Sequence, residues 1–363
     1  MSSSFTIWYK RKFGTTAKPS LELHINLWIH NKDDEDSIDF GLLISKPQVI
    51  EELYVYIPFL IEDKNITNLT KAMANDKKTS DLVFNENVIL REHSGQIQKT
   101  TINGQRIDYY LVNGHVINEL DESKLEEGCI LKFIFDASLN SDKKYIRFRI
   151  DDIKDKGIVE HYTRSASYIT GTYNVLTSME INFHEFRKLP DDIYQKAEPN
   201  HLKISLVNLF VMTDIHMEYT FSNISNVKSR ILEKEKWVEY NNKLRKTKND
   251  KILAYQFKKK SPTRKIGFSQ FAPLPMAPNP FDITESPMYL NDFSLFAKFN
   301  EEGARKRNVF FAIFVAFSLG LGGSLTASYI EKNNFNLWDK TVNVYHTVKV
   351  FVSKSDDNDS GVE

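Results

Sequence analysis

The sequence predicts a mainly β (α+β) protein: an antiparallel β-rich cytoplasmic region with few short helices, followed by a single transmembrane helix. Three observations carry that expectation. Leu21, Leu23, Ile25, Leu27 and Ile29 alternate strictly with Glu22, His24, Asn26, Trp28 and His30, which is the period of a half-buried strand with one face in water. Apolar runs of strand length recur from Leu53 onward, with turn signals at Asn103-Gly104 and Asn113-Gly114. Finally, Val309 to Ile330 runs 22 residues without a charge or a proline. As a helix that is about 33 Å, enough to cross a hydrocarbon core of about 30 Å.

The 363 residues carry 48 basic and 48 acidic side chains and one cysteine. Zero net charge lacks the global electrostatic footprint of a nucleic-acid binder. A single cysteine excludes an intramolecular disulfide framework and fits a reducing compartment. The N-terminal stretch MSSSFTIWYKRKFG has no apolar core of signal-peptide length. Targeting is therefore expected to fall to the C-terminal helix, the layout of a tail-anchored protein. Arg305, Lys306 and Arg307 precede the apolar run, and only Glu331 and Lys332 follow it. Positive charge marks the inner side, so the N-terminal domain is expected in the cytoplasm and the tail outside.

Taken in order, residues 1–155 read as one β-rich cytoplasmic domain. After the strand at 21–30 come an acidic turn, Asp33 to Asp36, and a second strand, Ile38 to Ser45. Together they form an antiparallel hairpin with a charged tip. Leu53 to Leu60 is a strand that Pro58 places at an edge or bend. Ile66 to Met73 is a short helix with Asn65 as its cap. Further strands are expected at 87–91, 107–112, 129–136 and 145–150.

Residues 156–261 form a second β-rich part with one helix, in the same domain or in its own. Val175 to Arg187 and His201 to Thr213 have the length of central strands, and Pro190 to Gln195 is a short helix. Val227 to Leu244 takes a helical pattern. Residues 262–300 are a proline-rich strap or linker, with six of the eleven prolines between Pro262 and Pro287. The run 309–330 is the transmembrane helix, and 331–363 is a short tail on the far side.

The chain carries no G-x-S-x-G, H-E-x-x-H or G-x-x-x-x-G-K motif, and one cysteine allows no C-x-x-C. No cofactor is expected, and an enzyme is the less favoured class. The nearest approach to a metal set is Asp214, His216 and Glu218, which would share one face of an extended segment. Polar residues on the wet face of a strand give the same pattern. Cys129 lies in an apolar strand, where an inert buried thiol is expected.

Between Lys243 and Lys265, ten basic side chains are opposed only by Asp250. Lys258, Lys259 and Lys260, with Arg305, Lys306 and Arg307, suit contact with an anionic leaflet, at about 1 kcal/mol per residue engaged. Nucleic acid fits poorly, because stacking aromatics are sparse there. In the apolar helix, Ser318, Gly322 and Thr326 are spaced by four, as are Gly320, Ser324 and Ser328, and Gly323 with Ala327. Small residues at that spacing let helix backbones approach closely in lipid.

The expected partners are thus the bilayer, further copies of the chain, and a protein or small-molecule ligand. The leading functional expectation is a single-pass membrane-anchored sensing or effector module that acts through self-association of its membrane helix. That architecture would suit a bacterial defence or stress setting. The alternatives are a constitutive membrane scaffold for a protein partner and a membrane-tethered hydrolase or metal enzyme.

Overall fold

The computed structural model describes residues 4–30, 36–120, 123–125, 127–135, 142–165, 172–246, 250–262, 288–304 and 306–332. From the N-terminus come β1 (Thr6–Arg11), β2 (Ser20–Trp28), β3 (Ser37–Ser45), β4 (Ile50–Ile57) and β5 (Ile66–Asn68), then helices α1 (Leu69–Asn75) and α2 (Lys77–Phe84). Next are β6 (Val88–Ser94), β7 (Ile97–Ile102), β8 (Gln105–Arg106), β9 (Asp108–Tyr110) and β10 (His115–Ile117). β11 (Glu119–Leu120), β12 (Ser123–Lys124), β13 (Cys129–Ile134) and β14 (Lys143–Asp151) follow. β15 (Val159–Ser165) and β16 (Thr172–Phe183) lead through α3 (Asp191–Ala197) to β17 (Lys203–Asp214), β18 (Glu218–Ser222) and β19 (Lys228–Glu233). The described chain ends with α4 (Lys234–Trp237), β20 (Lys251–Lys260), β21 (Phe293–Ala304) and α5 (Lys306–Lys332).

The spine is an 11-stranded sheet whose path runs β19-β20-β17-β2-β3-β14-β9-β7-β6, with β5 and β8 attached. Its pairs are mostly antiparallel, but β17 runs parallel to β2 and β14 parallel to β9. Two four-stranded sheets accompany it, β1-β4-β13-β10 and β15-β16-β21-β18. Strand alternation decides what each face of the spine meets. Leu21, Leu23, Ile25 and Leu27 of β2 join Val55 of β4, Leu131 of β13 and Leu295 of β21 in one continuous apolar core. On the opposite face, Trp28 and Met212 pack with Trp237, Tyr240 and Leu244. Leu43 and Tyr145 pack there with Met73 of α1. The body is therefore layered as small sheets, large sheet and short helices.

The β-rich expectation is met, and the β2–β3 hairpin pairs from Ser20↔Ser45 to Trp28↔Ser37. Its acidic tip, 31–35, lies outside the described residues. The polar face of β2 is not wet, however: Asn26 is 5% exposed and Trp28 1%, because the helix layer covers that side. β3 requires glycine at 41, since a Cβ there would run into Tyr145 and come within 2.8 Å of Arg147 Nη1.

Other expectations shift. β4 is not an edge, since β1 and β13 flank it; the bend alternative holds, with Pro58 in a bend just beyond its end. Residues 66–68 form β5, and α1 starts later, capped by Asn68, whose Oδ1 accepts from Lys71 N at 3.1 Å. Asn103-Gly104 does turn a hairpin, with φ of 47° and 76°. Asn113-Gly114 does not, because β9 and β10 belong to different sheets.

The expected helix at 227–244 begins instead as β19, paired with β20 from Lys228↔Gln256 to Glu233↔Lys251. The open side of β20 supplies backbone partners there, and they outweigh a local pattern that marginally favours helix. Residues 263–287, the proline-rich segment, lie outside the described residues.

The chain divides into two units, one formed by the described parts of 1–163 and 175–302, the other by those of 164–174 and 303–363. In the second, α5 is one unbroken helix of 27 residues, about 40 Å at 1.5 Å per residue. Its described side chains between Ile313 and Tyr329 include large apolar groups that are exposed: Phe314 at 65%, Leu319 at 71% and Leu325 at 70%.

Among the described residues, no helix is long and apolar enough to cross a membrane. The expected span, Val309 to Ile330, runs past the described side chains at both ends. The side chains of Lys306 and Arg307 also lie outside the description, as do Arg305 and the tail from 333.

Candidate functional site

The helix-layer face of the large sheet holds an unusual concentration of buried charge. In β14, Ile146, Phe148 and Ile150 face the main core. By alternation Tyr145, Arg147 and Arg149 point the other way. The register sets Arg149 directly opposite Asp39 and Arg147 opposite Gly41, and sets Asn26 opposite Asp39 on the other side. Asp39 is 0% exposed, Arg147 1% and Arg149 5%.

The carboxylate of Asp39 is fully engaged. It accepts from Arg149 Nε at 2.6 Å and Nη2 at 3.2 Å, from Trp28 Nε1 at 2.9 Å and from the Tyr240 hydroxyl at 2.6 Å. Arg147 donates Nε to the Tyr240 hydroxyl at 2.6 Å and Nη1 to the Tyr145 hydroxyl at 2.8 Å. Asn26 can accept from its Nη2 at 2.8 Å. Burial alone would raise the pKa of Asp39, but Arg149, Arg147 and the Tyr240 hydroxyl more than offset it, leaving the carboxyl below its ordinary range. Burial and neighbouring Asp39 push Tyr240 far above the usual phenol range, although the arginines oppose this.

This network is a clamp. Two guanidiniums face one carboxylate, and every guanidinium nitrogen has a protein partner, the pattern of a structural tie. The clamp fastens the segment after α4 onto the sheet through Tyr240. Trp237, four per cent exposed, packs edge-on against Trp28 at 5.7 Å between ring centroids.

The outer side of that clamped segment forms one wall of a cleft of about 940 Å³. α2 forms the second wall and β19 the third. Six carboxylates and three cations line it. Several are committed already: Asp76 caps α2 by accepting from Lys78 N and Thr79 N, and Asp81 pairs with Lys77 at 2.6 Å. Glu233 pairs with Lys236 at 2.8 Å. Glu86, Glu235 and Glu239 are exposed and remain to face an incoming group. Arg230 reaches across the cleft, donating Nη1 to Asn85 Oδ1 at 3.4 Å. The floor is apolar, from Leu82, Leu232 and Trp237.

The residues singled out from sequence are scattered. Asp214 ends β17, His216 lies in a turn and Glu218 opens β18. His216 N donates to Asp214 Oδ1 at 3.1 Å, and Met217 N to Asp214 O at 3.1 Å. The segment therefore turns where the metal reading required it to run straight. Among the described residues, no group of three or more His, Cys, Asp or Glu could hold a metal ion. Cys129 is buried, its thiol pushed up to about 11 by burial. Lys258, Lys259 and Lys260 form the C-terminal end of β20. Among the described residues, no atom beyond the adjoining turns of α5 lies within 4 Å of where a Cβ on Gly320, Gly322 or Gly323 would sit. Ser318 Oγ donates to Phe314 O at 2.8 Å, and Thr326 Oγ1 to Gly322 O at 2.7 Å. Ser324 lies on the same exposed stretch.

Sequence reasoning missed both the clamp and the cleft. The clamp had a signal: Tyr145, Arg147 and Arg149 alternate with three apolar residues, a polar face too bulky and too singly charged for an ordinary wet strand. The cleft had none, since its walls come from segments some 150 residues apart. Comparison with family models finds no match, and no curated protein matches the chain.

Proposed function

We propose that this chain is a single-pass membrane-anchored sensing or effector module. Its β-rich body takes a ligand or partner in the cleft between α2 and β19. In this reading α5 holds the body at the inner face of a bilayer, and packing between copies of α5 passes the signal on. The observation that carries the reading is α5 itself. An unbroken 27-residue helix exposing Phe314, Phe317, Leu319, Leu321 and Leu325 would leave water an apolar surface that soluble monomers avoid, and lipid removes that penalty. Lys258, Lys259 and Lys260, with Arg305, Lys306 and Arg307, are proposed to face the anionic leaflet. A bacterial defence or stress effector fits this arrangement by analogy of layout alone.

Extraction tests the anchor. The wild-type chain should stay in the membrane pellet through alkaline carbonate. Phe317→Lys with Leu321→Lys places two charges at mid-helix, each costing about 2.5–3.5 kcal/mol, and should move the protein to the supernatant. Wild-type protein in the supernatant would end the membrane reading.

Helix association needs its own measurement. Cross-linking in membranes should trap wild-type oligomers, and Gly322→Leu with Gly323→Leu should abolish them by keeping backbones apart. Oligomers unchanged by the substitutions would leave α5 as a plain anchor and favour the constitutive scaffold.

A further inference from the structure

The cleft has a property that its charge alone does not explain. Arg230, Ile231, Leu232 and Glu233 line it consecutively. Successive side chains of a strand point to opposite faces, so four neighbours can border one space only if it lies along the strand's edge. Among the described residues, β19 is the terminal strand of the large sheet and pairs only with β20. Among the described residues no strand occupies its second side. Alternate backbone N–H and C=O groups of β19 therefore open toward the cleft.

We propose that an extended, lysine- or arginine-bearing segment of a partner protein adds to the free edge of β19 as a further strand. This rests on the cleft being the binding site and is independent of how α5 meets a membrane. The sheet geometry sets what the segment must carry. Leu232 belongs to the cluster on the helix-layer face, and Arg230 lies over the Phe210 ring at 5.4 Å, so even-numbered positions of β19 face that layer. On the same side stand Glu235 of α4, Glu86 just past α2 and Glu239 just past α4. Side chains of the added strand on that face meet uncommitted carboxylates, which select cations. Those on the other face lie beside Ile231, 57% exposed, and gain by being apolar. The fitting pattern is alternation of basic and apolar residues. Main-chain hydrogen bonds then hold the segment, and the alternating side chains give specificity. Lys228 and Arg230 stand on that same face and repel a cation placed directly opposite them, so the basic side chains belong beside Leu232 and the three glutamates.

The test uses the full chain in detergent and a labelled, end-blocked peptide alternating lysine and valine over about eight residues, enough to span the six-residue β19. Fluorescence anisotropy should show binding in the micromolar range. Replacing every lysine with glutamate should weaken it by at least about 10-fold. N-methylation of alternate backbone amides should abolish binding in one register and leave it within about 3-fold in the other, because only one set of amides can face β19. Glu86→Gln/Glu235→Gln/Glu239→Gln, three surface changes, should weaken the lysine peptide by about 10-fold. Absence of binding at about 1 mM, equal binding of the glutamate peptide, or indifference to N-methylation in both registers would overturn the proposal. So would disulfide-linked dimers of Ile231→Cys, which would make a second copy of this chain the occupant.

Discussion

Replacing Asp39 with alanine should lower the stability of the β-rich body by about 3–5 kcal/mol, a large part of the 5–15 kcal/mol that holds most domains folded. The substitution removes a carboxylate that accepts from Arg149, Trp28 and Tyr240. It leaves Arg147 and Arg149 as two buried cations with no counter-charge between them. Most of the loss comes from those stranded guanidiniums rather than from the missing attraction. That distinction can be measured. Adding Arg149→Met to Asp39→Ala removes one stranded charge and should restore part of the stability, so the double variant should unfold at higher denaturant than Asp39→Ala. Urea unfolding in detergent, followed by tryptophan fluorescence, reads both, since Trp28 and Trp237 sit against the network. A loss below about 1 kcal/mol for Asp39→Ala would mean the clamp is dispensable.

Stability should also fall as pH drops below about 6.5, through buried His184. This residue is 1% exposed. Its Nε2 donates to Leu202 O at 3.0 Å, so its Nδ1 accepts from Thr6 Oγ1 at 2.8 Å. That pairing suits the neutral ring. Burial above all, with His201 nearby, lowers its pKa from 6.5 to about 3. The unfolded chain takes up the proton below pH 6.5 and the folded chain does not, so acid favours unfolding. The loss is about 1.4 kcal/mol per pH unit, or about 2 kcal/mol between pH 6.5 and 5, and it continues until pH reaches about 3. His24 is lowered to about 3 as well, by burial and by Arg147 and Lys258. It is partly exposed, so His184 is the firmer case. His184→Asn suits a backbone φ of 54° and should flatten the slope between pH 7 and 5. Equal slopes in wild type and variant would assign the pH dependence elsewhere.

Much of the sheet was legible because its strands obey a local rule. β2, β3 and β14 alternate so regularly that period alone marks them, and α3 follows its proline. What failed was non-local. Residues 228–233 carry a pattern tolerable in a helix, and only the open side of β20, reached through the chain's return, makes them a strand. Glu22 to His30 looked like a wet face because nothing within β2 announces that three short helices from elsewhere will cover it. The same blindness hid Asp39: its partners Arg149 and Tyr240 are 110 and 201 residues away. Asp214, His216 and Glu218 would share a face only on an extended segment, and the Asp214 side chain instead bonds the backbone two residues on and turns the chain.

The parallel pairing of β2 with β17 has a consequence for biogenesis. The Ser205 hydroxyl bonds to Leu21 O across 184 residues, and the register runs from Lys203↔Ser20 to Met212↔Trp28. Until residue 212 has been synthesised, the first half of the protein carries an apolar strand with an open side. Such a species pairs readily with other chains, so the nascent polypeptide is exposed to misassembly until β17 is made. Closure of that gap through a long loop also predicts slow folding, in milliseconds to seconds. α5 is translated only after β17 and β20 exist, so the strand that seals the sheet is made before the most apolar stretch of the chain.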